Sequence, residues 1–244
     1  MCRMVGVVFR GEFPTGILDD LRHISEVGVI PGEEERGHRD GWGLVSFRNG
    51  SPWYIGRSPR PLFMDPSFDA AVKEIPRLAT PNILLAHARA ASAGGASLAN
   101  THPFVVNGLV VAHNGTITDY NPITRDKTKG ETDSERLALV LAERCEETGS
   151  VKLAIESVVK NDFRSHKFSA AILLVSDGNV LYGYRDYSDE KKSDYYDLSI
   201  AACENYVAMF QESHTGYVGE ISRVRKGELV AVDKDLRITR QIIL

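Results

Sequence analysis

Cysteine is scarce in this chain, with three in 244 residues, at positions 2, 145 and 203. An odd, widely spaced set fits neither a disulfide framework nor a zinc site with C-x₂-C spacing, and it points to a reducing, cytoplasmic compartment. Long apolar runs are missing too. None approaches the ~18 residues of a membrane-spanning helix, which argues against a membrane partner. The N-terminus lacks the basic and then apolar segments of a signal peptide. There is no surplus of positive charge: 29 Lys and Arg stand against 33 Asp and Glu, a net charge of −4. That balance excludes a broad nucleic-acid surface. Repeats, low-complexity linkers and Pro- or Ser-rich breaks are absent, so residues 1–244 read as a single domain. What is present is ordinary globular composition, 43% hydrophobic and 25% charged. A chain of this size buries a core without disulfide or metal staples. The dense charge runs Gly32–Arg36 and Ser188–Asp194 read as solvated loops.

The apolar, β-branched run Val5–Phe9 predicts a buried strand. Thr15 then looks like an N-cap. Ile17, Leu18, Leu21, Ile24 and Val27 recur at helical spacing until Gly28. Gly43–Phe47 and Trp53–Ile55 flank Arg48-Asn-Gly-Ser51, a hairpin signal. Pro66 opens a helix whose inner face carries Phe68, Ala71, Val72, Ile75 and Leu78. Strands are expected at 82–88 and 108–112, and helices at 133–145 and 151–159. Beyond residue 167 the pattern turns to strands, at 168–175, 180–184, 198–203, 206–210, 221–224, 228–232 and 238–243. Strands, helices and strands again, joined by hairpins rather than βαβ crossovers, predict an α+β fold of antiparallel sheets with helices outside.

Four stretches could carry chemistry. In MCRMVGVV, Cys2 directly follows the initiator methionine. If Met1 is removed, Cys2 carries a thiol and a free α-amine on one carbon. A thiol with an ordinary pKa near ~8.5 needs a base, and an α-amine at about 7.7–8.0 suits that task near neutral pH. The plain alternative is a small buried Cys at a strand end. In Leu84-Leu-Ala-His-Ala-Arg-Ala-Ala-Ser92, strand geometry puts His87 and Arg89 on one face. Arg89 could fork onto a carboxylate or sit in a structural ion pair. In Val110-Val-Ala-His-Asn-Gly115, the Asn114 amide beside an unhindered Gly115 N–H could hold an oxyanion, although Asn-Gly is also the commonest hairpin turn. In Gly130-Glu-Thr-Asp-Ser-Glu135, Thr132 or Asp133 can cap a helix, and a carboxylate there could meet a substrate ammonium.

Taken in order, Cys2, H-A-R-A-A-S, N-T-H-P-F, A-H-N-G-T-I and E-T-D-S-E resemble the class II glutamine amidotransferases. His38-Arg-Asp-Gly-Trp-Gly43 is similar to the shorter, stand-alone branch of that family. The resemblance is dense from Cys2 to about residue 145. It continues more loosely to the end, through Glu204 and 224–232. It implies an N-terminal-nucleophile hydrolase, a four-layer αββα sandwich of two antiparallel sheets. Cys2 would attack the side-chain amide of glutamine and form a γ-glutamyl thioester, with its own α-amine moving the proton. Asn114 and Gly115 would hold the oxyanion. Arg89 would clamp the substrate α-carboxylate and Asp133 its ammonium. Ser92 would contact the substrate, and Asp40 and His102 would shape loops or touch it. No cofactor is implied. His87, His102 and His113 match no compact zinc pattern, so no metal is expected. The ammonia would pass to a separate synthase subunit or be released by simple hydrolysis. Two other readings stay open: an amidase for a γ-glutamyl, glutathione-like metabolite, and a non-catalytic module that senses glutamine.

Overall fold

The computed structural model describes residues 2–32, 34, 36–122, 127–213 and 217–244. Met1, and part of the charged run at 32–36, lie outside the described residues. One sheet comprises β1 (Arg3–Phe9), β2 (Trp42–Arg48), β3 (Ser51–Ser58), β4 (Asn82–Ala88), β9 (Ser199–Ala202), β10 (Tyr206–Phe210) and β11 (Glu220–Arg223), in the order β11-β9-β10-β1-β4-β2-β3. The other comprises β5 (Phe104–Val106), β6 (Leu109–Asn114), β7 (Ala170–Ser176), β8 (Val180–Tyr187), β12 (Glu228–Asp233) and β13 (Ile238–Ile242), in the order β13-β12-β8-β7-β6-β5. Neighbouring strands pair antiparallel throughout both sheets.

Strand periodicity places the core in three layers. In β1, Val5, Val7 and Phe9 face α1 (Gly16–Val27) and α2 (Pro66–Val72), packing on Leu18, Leu21 and Phe68. Met4 and Val8 face the other way and meet Ile172, Leu174 and Leu181 of the second sheet. The two sheets approach closely at Gly6, where a Cβ would sit 2.9 Å from the Leu181 side chain. On the far face of the second sheet, Val111, Leu173 and Val175 pack against Leu137 and Leu141 of α3 (Asp133–Thr148) and Ile155 and Val158 of α4 (Val151–Val158). The result is the four-layer αββα sandwich. Burial of Val, Leu, Ile and Phe side chains at roughly 1.5–3 kcal/mol each is its main stabilising force.

Several local expectations change. The helix opened by Pro66 ends at Val72, and only a 3₁₀ turn at Ile75–Arg77 follows. Pro76 has no N–H to continue the helical ladder. Thr15 sits at the N-cap of α1 but makes no side-chain cap bond. Thr132, by contrast, caps α3 by accepting from Glu135 N at 3.1 Å. Asn114-Gly115 is not a hairpin turn, because β6 runs through Asn114 and its partner β7 arrives only after both helices. No helix among the described residues is long and apolar enough to cross a membrane.

Candidate active site

The pairing registers bring one end of each sheet together. Arg3 pairs with Ala88, so Cys2 lies beside the exit of β4 and Arg89. Gln211, just past β10, donates its backbone N–H to Met4 O at 3.1 Å. Asn114 ends β6 in the facing sheet, opposite Ile172 of β7.

Asn114 and Cys2 are bonded reciprocally. Cys2 N donates to Asn114 Oδ1, and Asn114 Nδ2 donates to Cys2 O, both at 3.0 Å. The second Nδ2 hydrogen goes to Gln211 Oε1 at 3.1 Å, and Gln211 Nε2 in turn donates to Asp197 O at 3.0 Å. Cys2 O also accepts from Arg3 Nη1 at 3.0 Å. Arg3 is held in place by Glu212, its Nε 2.6 Å from Oε2, and by the Tyr195 ring, whose centroid lies 4.2 Å from the guanidinium carbon. Both main-chain polar groups of Cys2 are therefore fixed by buried side chains. The thiol points to Ala90 O at 3.6 Å. Burial pushes its pKa up, opposed by the N-terminal charge, the Ala90 contact, Arg89 and Arg3.

Gly115 is dictated by its surroundings. Its φ is +148°, and a Cβ there would lie 1.8 Å from Ala170 O. Gly115→Ala is expected to destabilise the fold by at least about 3 kcal/mol in urea unfolding, because the clash is with backbone that pairs in β7.

The remaining expected residues take distinct positions. Arg89 is buried, and its guanidinium donates to main-chain carbonyls: Ala93 O at 2.7 Å, Gly94 O and Gly95 O at 3.1 Å, and Asp40 O at 3.4 Å. Asp40 holds the same loop, accepting from Ala91 N at 2.8 Å. Ser92 Oγ bridges to Thr116 Oγ1 at 3.0 Å, joining the loops that leave β4 and β6. Asp133, the first residue of α3, accepts from Ile117 N at 2.6 Å and so orders the segment after Gly115. His102 lies inside the sandwich rather than at the opening, stacked on His87 with ring centroids 4.3 Å apart.

The stacked histidines give a pH prediction. Burial foremost, with Arg89 nearby, lowers His87 to about 3, and burial with His87 alongside lowers His102 as well. A base with a lowered folded-state pKa binds fewer protons folded than unfolded. Its contribution to stability is therefore complete above the ordinary value of 6.5 and is lost as pH falls toward about 3. Within that window His87 adds about 1.4 kcal/mol per pH unit to the acid slope, and His102 adds to it in the same direction. Unfolding of His87→Leu at several pH values should show a slope shallower by about that amount.

Sequence reasoning missed Arg3, Gln211, Tyr195 and Glu212. Gln211 follows an apolar strand and looks like any strand exit. Only its partnership with β1, 207 residues earlier by the Met4 contact, brings it to the site, and no local pattern carries that information.

The family model described as glutamine amidotransferases class-II matches residues 1–196. An uncharacterized protein of Methanocaldococcus jannaschii is 27% identical over 243 residues, 96% of this chain and 64% of that protein. The glutamine aminotransferase class-II domain protein of Silicibacter pomeroyi has the same fold, with a TM-score of 0.62 at 18% identity and 99% of each chain covered. So does the glutamine phosphoribosylpyrophosphate amidotransferase of Bacillus subtilis, complexed with ADP and GMP, with a TM-score of 0.62 at 16% identity over 100% of this chain. The chain spans less than two thirds of the archaeal relative and 49% of the Bacillus chain.

Proposed function

The chain belongs to the class II glutamine amidotransferases, and on that premise we propose that it hydrolyses the side-chain amide of glutamine, or of a γ-glutamyl amide with the same head group, using Cys2 as nucleophile. Removal of Met1 turns Cys2 N into an α-amine with an ordinary pKa of about 7.7–8.0. That amine takes the thiol proton as sulfur attacks the amide carbon. The proton then passes to the leaving nitrogen, which departs as ammonia or an amine and leaves a γ-glutamyl thioester. Water attacks the thioester, the amine accepts its proton, and glutamate leaves with the thiol restored. The scheme needs no metal or cofactor.

The observation that carries this reading is the reciprocal bonding of Asn114 to Cys2 N and O. It orients the prospective base by an acceptor, and it holds an amide donor against the main chain of the nucleophile's own residue. When Asn114 turns one N–H to the oxyanion, with Gly115 N–H as second donor, Arg3 keeps Cys2 O satisfied. Such a prepared pair of donors stabilises charge without reorganisation during the reaction.

The γ-glutamyl head would be met by Arg89 at its carboxylate, exchanging for the carbonyls of 93–95, by Asp133 at its ammonium, and by Ser92. Orientation of this kind supplies effective molarity. Arg89→Lys should raise KM for glutamine by about 10- to 100-fold, the worth of charge-assisted bonds, with a smaller change in kcat. The same reading makes residues 1–244 one cytoplasmic domain, with ammonia either delivered to a separate synthase subunit or simply released. The test is glutamate release from glutamine by protein whose N-terminus has been verified as Cys2. No glutamate release by such protein from glutamine or from any of a panel of γ-glutamyl amides contradicts the reading.

A further inference from the structure

Gln211, at the exit of β10, is buried, and it ties three segments together. Its Oε1 accepts from Asn114 Nδ2 at 3.1 Å, its Nε2 donates to Asp197 O at 3.0 Å, and its backbone N–H donates to Met4 O at 3.1 Å. We propose that Gln211 is a positioning residue of the amide hydrolysis: it fixes which way the Asn114 amide faces, and so presents Oδ1 to the Cys2 amine and Nδ2 to the oxyanion. The inference rests on the amidohydrolase reading above and adds a residue that acts through Asn114.

The chemistry of the N-terminus is the first argument. While Met1 is attached, Cys2 N is a peptide N–H that donates, and Cys2 O accepts. Those two groups alone dictate Oδ1 on the nitrogen and Nδ2 on the oxygen, which is the arrangement found. Removal of Met1 relaxes the first condition. A free amine accepts through its lone pair as well as donates, and the reaction uses that lone pair. Asn114 is then free to turn its amide and give Nδ2 to the amine. The base would be occupied, and the oxyanion would lose its side-chain donor. A further group has to hold the amide.

Hydrogen count is the second argument. Nδ2 has two hydrogens, one on Cys2 O and one on Gln211 Oε1. Cys2 O has a replacement donor in Arg3 Nη1, so the first hydrogen can leave for the oxyanion. The bond to Gln211 is the hold that remains. Gln211 cannot itself turn without loss. Asp197 O only accepts, so Nε2 faces Asp197 and Oε1 faces Asn114. Burial sharpens the choice, because a turned amide would set like ends together away from water. Glu212, the next residue, grips Arg3 by Nε at 2.6 Å. Two consecutive residues past β10 therefore secure both side-chain donors to Cys2 O.

The experiment compares kcat, KM and the pH profile of kcat/KM in processed wild type, Gln211→Met and Gln211→Glu. The substrate is whichever of glutamine and a panel of γ-glutamyl amides is turned over best. Methionine keeps the volume and removes both polar ends. Its kcat should fall about 10- to 100-fold, less than outright deletion of an oxyanion donor, with KM within a few-fold. The Oδ1 bond that favours the ammonium is loosened, so the amine loses its proton more readily and the acid limb moves to lower pH. Glutamate, ionised or protonated, still offers Asn114 an acceptor. Gln211→Glu should keep kcat within a few-fold of wild type, with the limb unmoved or at higher pH, since a carboxylate favours the ammonium. The other charged and titratable groups at this end of the chain are the Cys2 thiol, Arg3 with Glu212 and Tyr195, and His38, His87 and Arg89. They are the same in every variant, so a shift of the limb belongs to residue 211. Gln211→Asn, too short to span from Asp197 O to Asn114, gives the signs of the methionine variant if that one fails to fold. An unmoved limb in Gln211→Met, or equal losses in the methionine and glutamate variants, overturns the positioning role and leaves the amidohydrolase reading standing. No glutamate from any substrate with the wild-type protein overturns both.

Discussion

Cys2→Ser is expected to lower glutamate release by at least about 10³-fold while glutamine still binds within a few-fold of wild type. A hydroxyl is far less acidic and less nucleophilic than a thiol, so the same α-amine activates it less in a site shaped for sulfur. The substitution removes little packing, since Oγ replaces Sγ in the same small pocket beneath Ala90 O. Both main-chain bonds to Asn114 survive, because they use Cys2 N and O rather than the thiol. Turnover assays and calorimetric titration with glutamine check the two halves separately. A serine variant that keeps most activity contradicts the nucleophile, and one that loses binding as well as turnover points to a disturbed N-terminus.

Asn114→Asp is expected to lower kcat by about 10²–10³-fold, the usual cost of deleting one oxyanion donor. The side chain keeps its shape and its acceptor for Cys2 N, but it loses the Nδ2 donors to Cys2 O and Gln211. A second effect has a definite sign. A carboxylate beside the α-amine stabilises the ammonium form, so the pKa of the amine rises and less free base is present at neutral pH. The acid limb of the pH profile of kcat/KM should therefore move to higher pH. A loss in kcat with an unshifted limb would separate the oxyanion role from the role at the amine.

The strand at Val5–Phe9 was legible because β1 is apolar on both faces, one turned to α1 and the other to the second sheet. That double burial is also why alternation could not tell which residues face which layer. The hairpin at Asn49-Gly50 was legible because both residues take positive φ, 53° and 77°, which this pair tolerates best. The helix drawn through Leu78 failed at Pro76, where apolar periodicity continued but the backbone donor did not. In the site, Cys2, Arg89, Asn114-Gly115 and Asp133 each had a plain structural alternative in their own stretch, and they stood out only through the order of their motifs, which resembles that of the class II glutamine amidotransferases. The structure gathers Cys2 and Asn114 into direct contact and ties Asp133 to the segment beyond Gly115. It gives Arg89 to loop carbonyls and His102 to the interior stack. Gln211 and Arg3 were invisible for another reason. Their partners are set by sheet pairing across most of the chain, and a single residue next to a strand carries no trace of that pairing.

Intact-mass and peptide mass spectrometry after exposure to a glutamine-mimicking electrophile tests the central claim most directly. The account predicts a protein lighter by one methionine, carrying one covalent adduct on Cys2, with no adduct in Cys2→Ser. An unmodified Cys2 on a verified N-terminus, or an adduct on Cys145 or Cys203 instead, would contradict it.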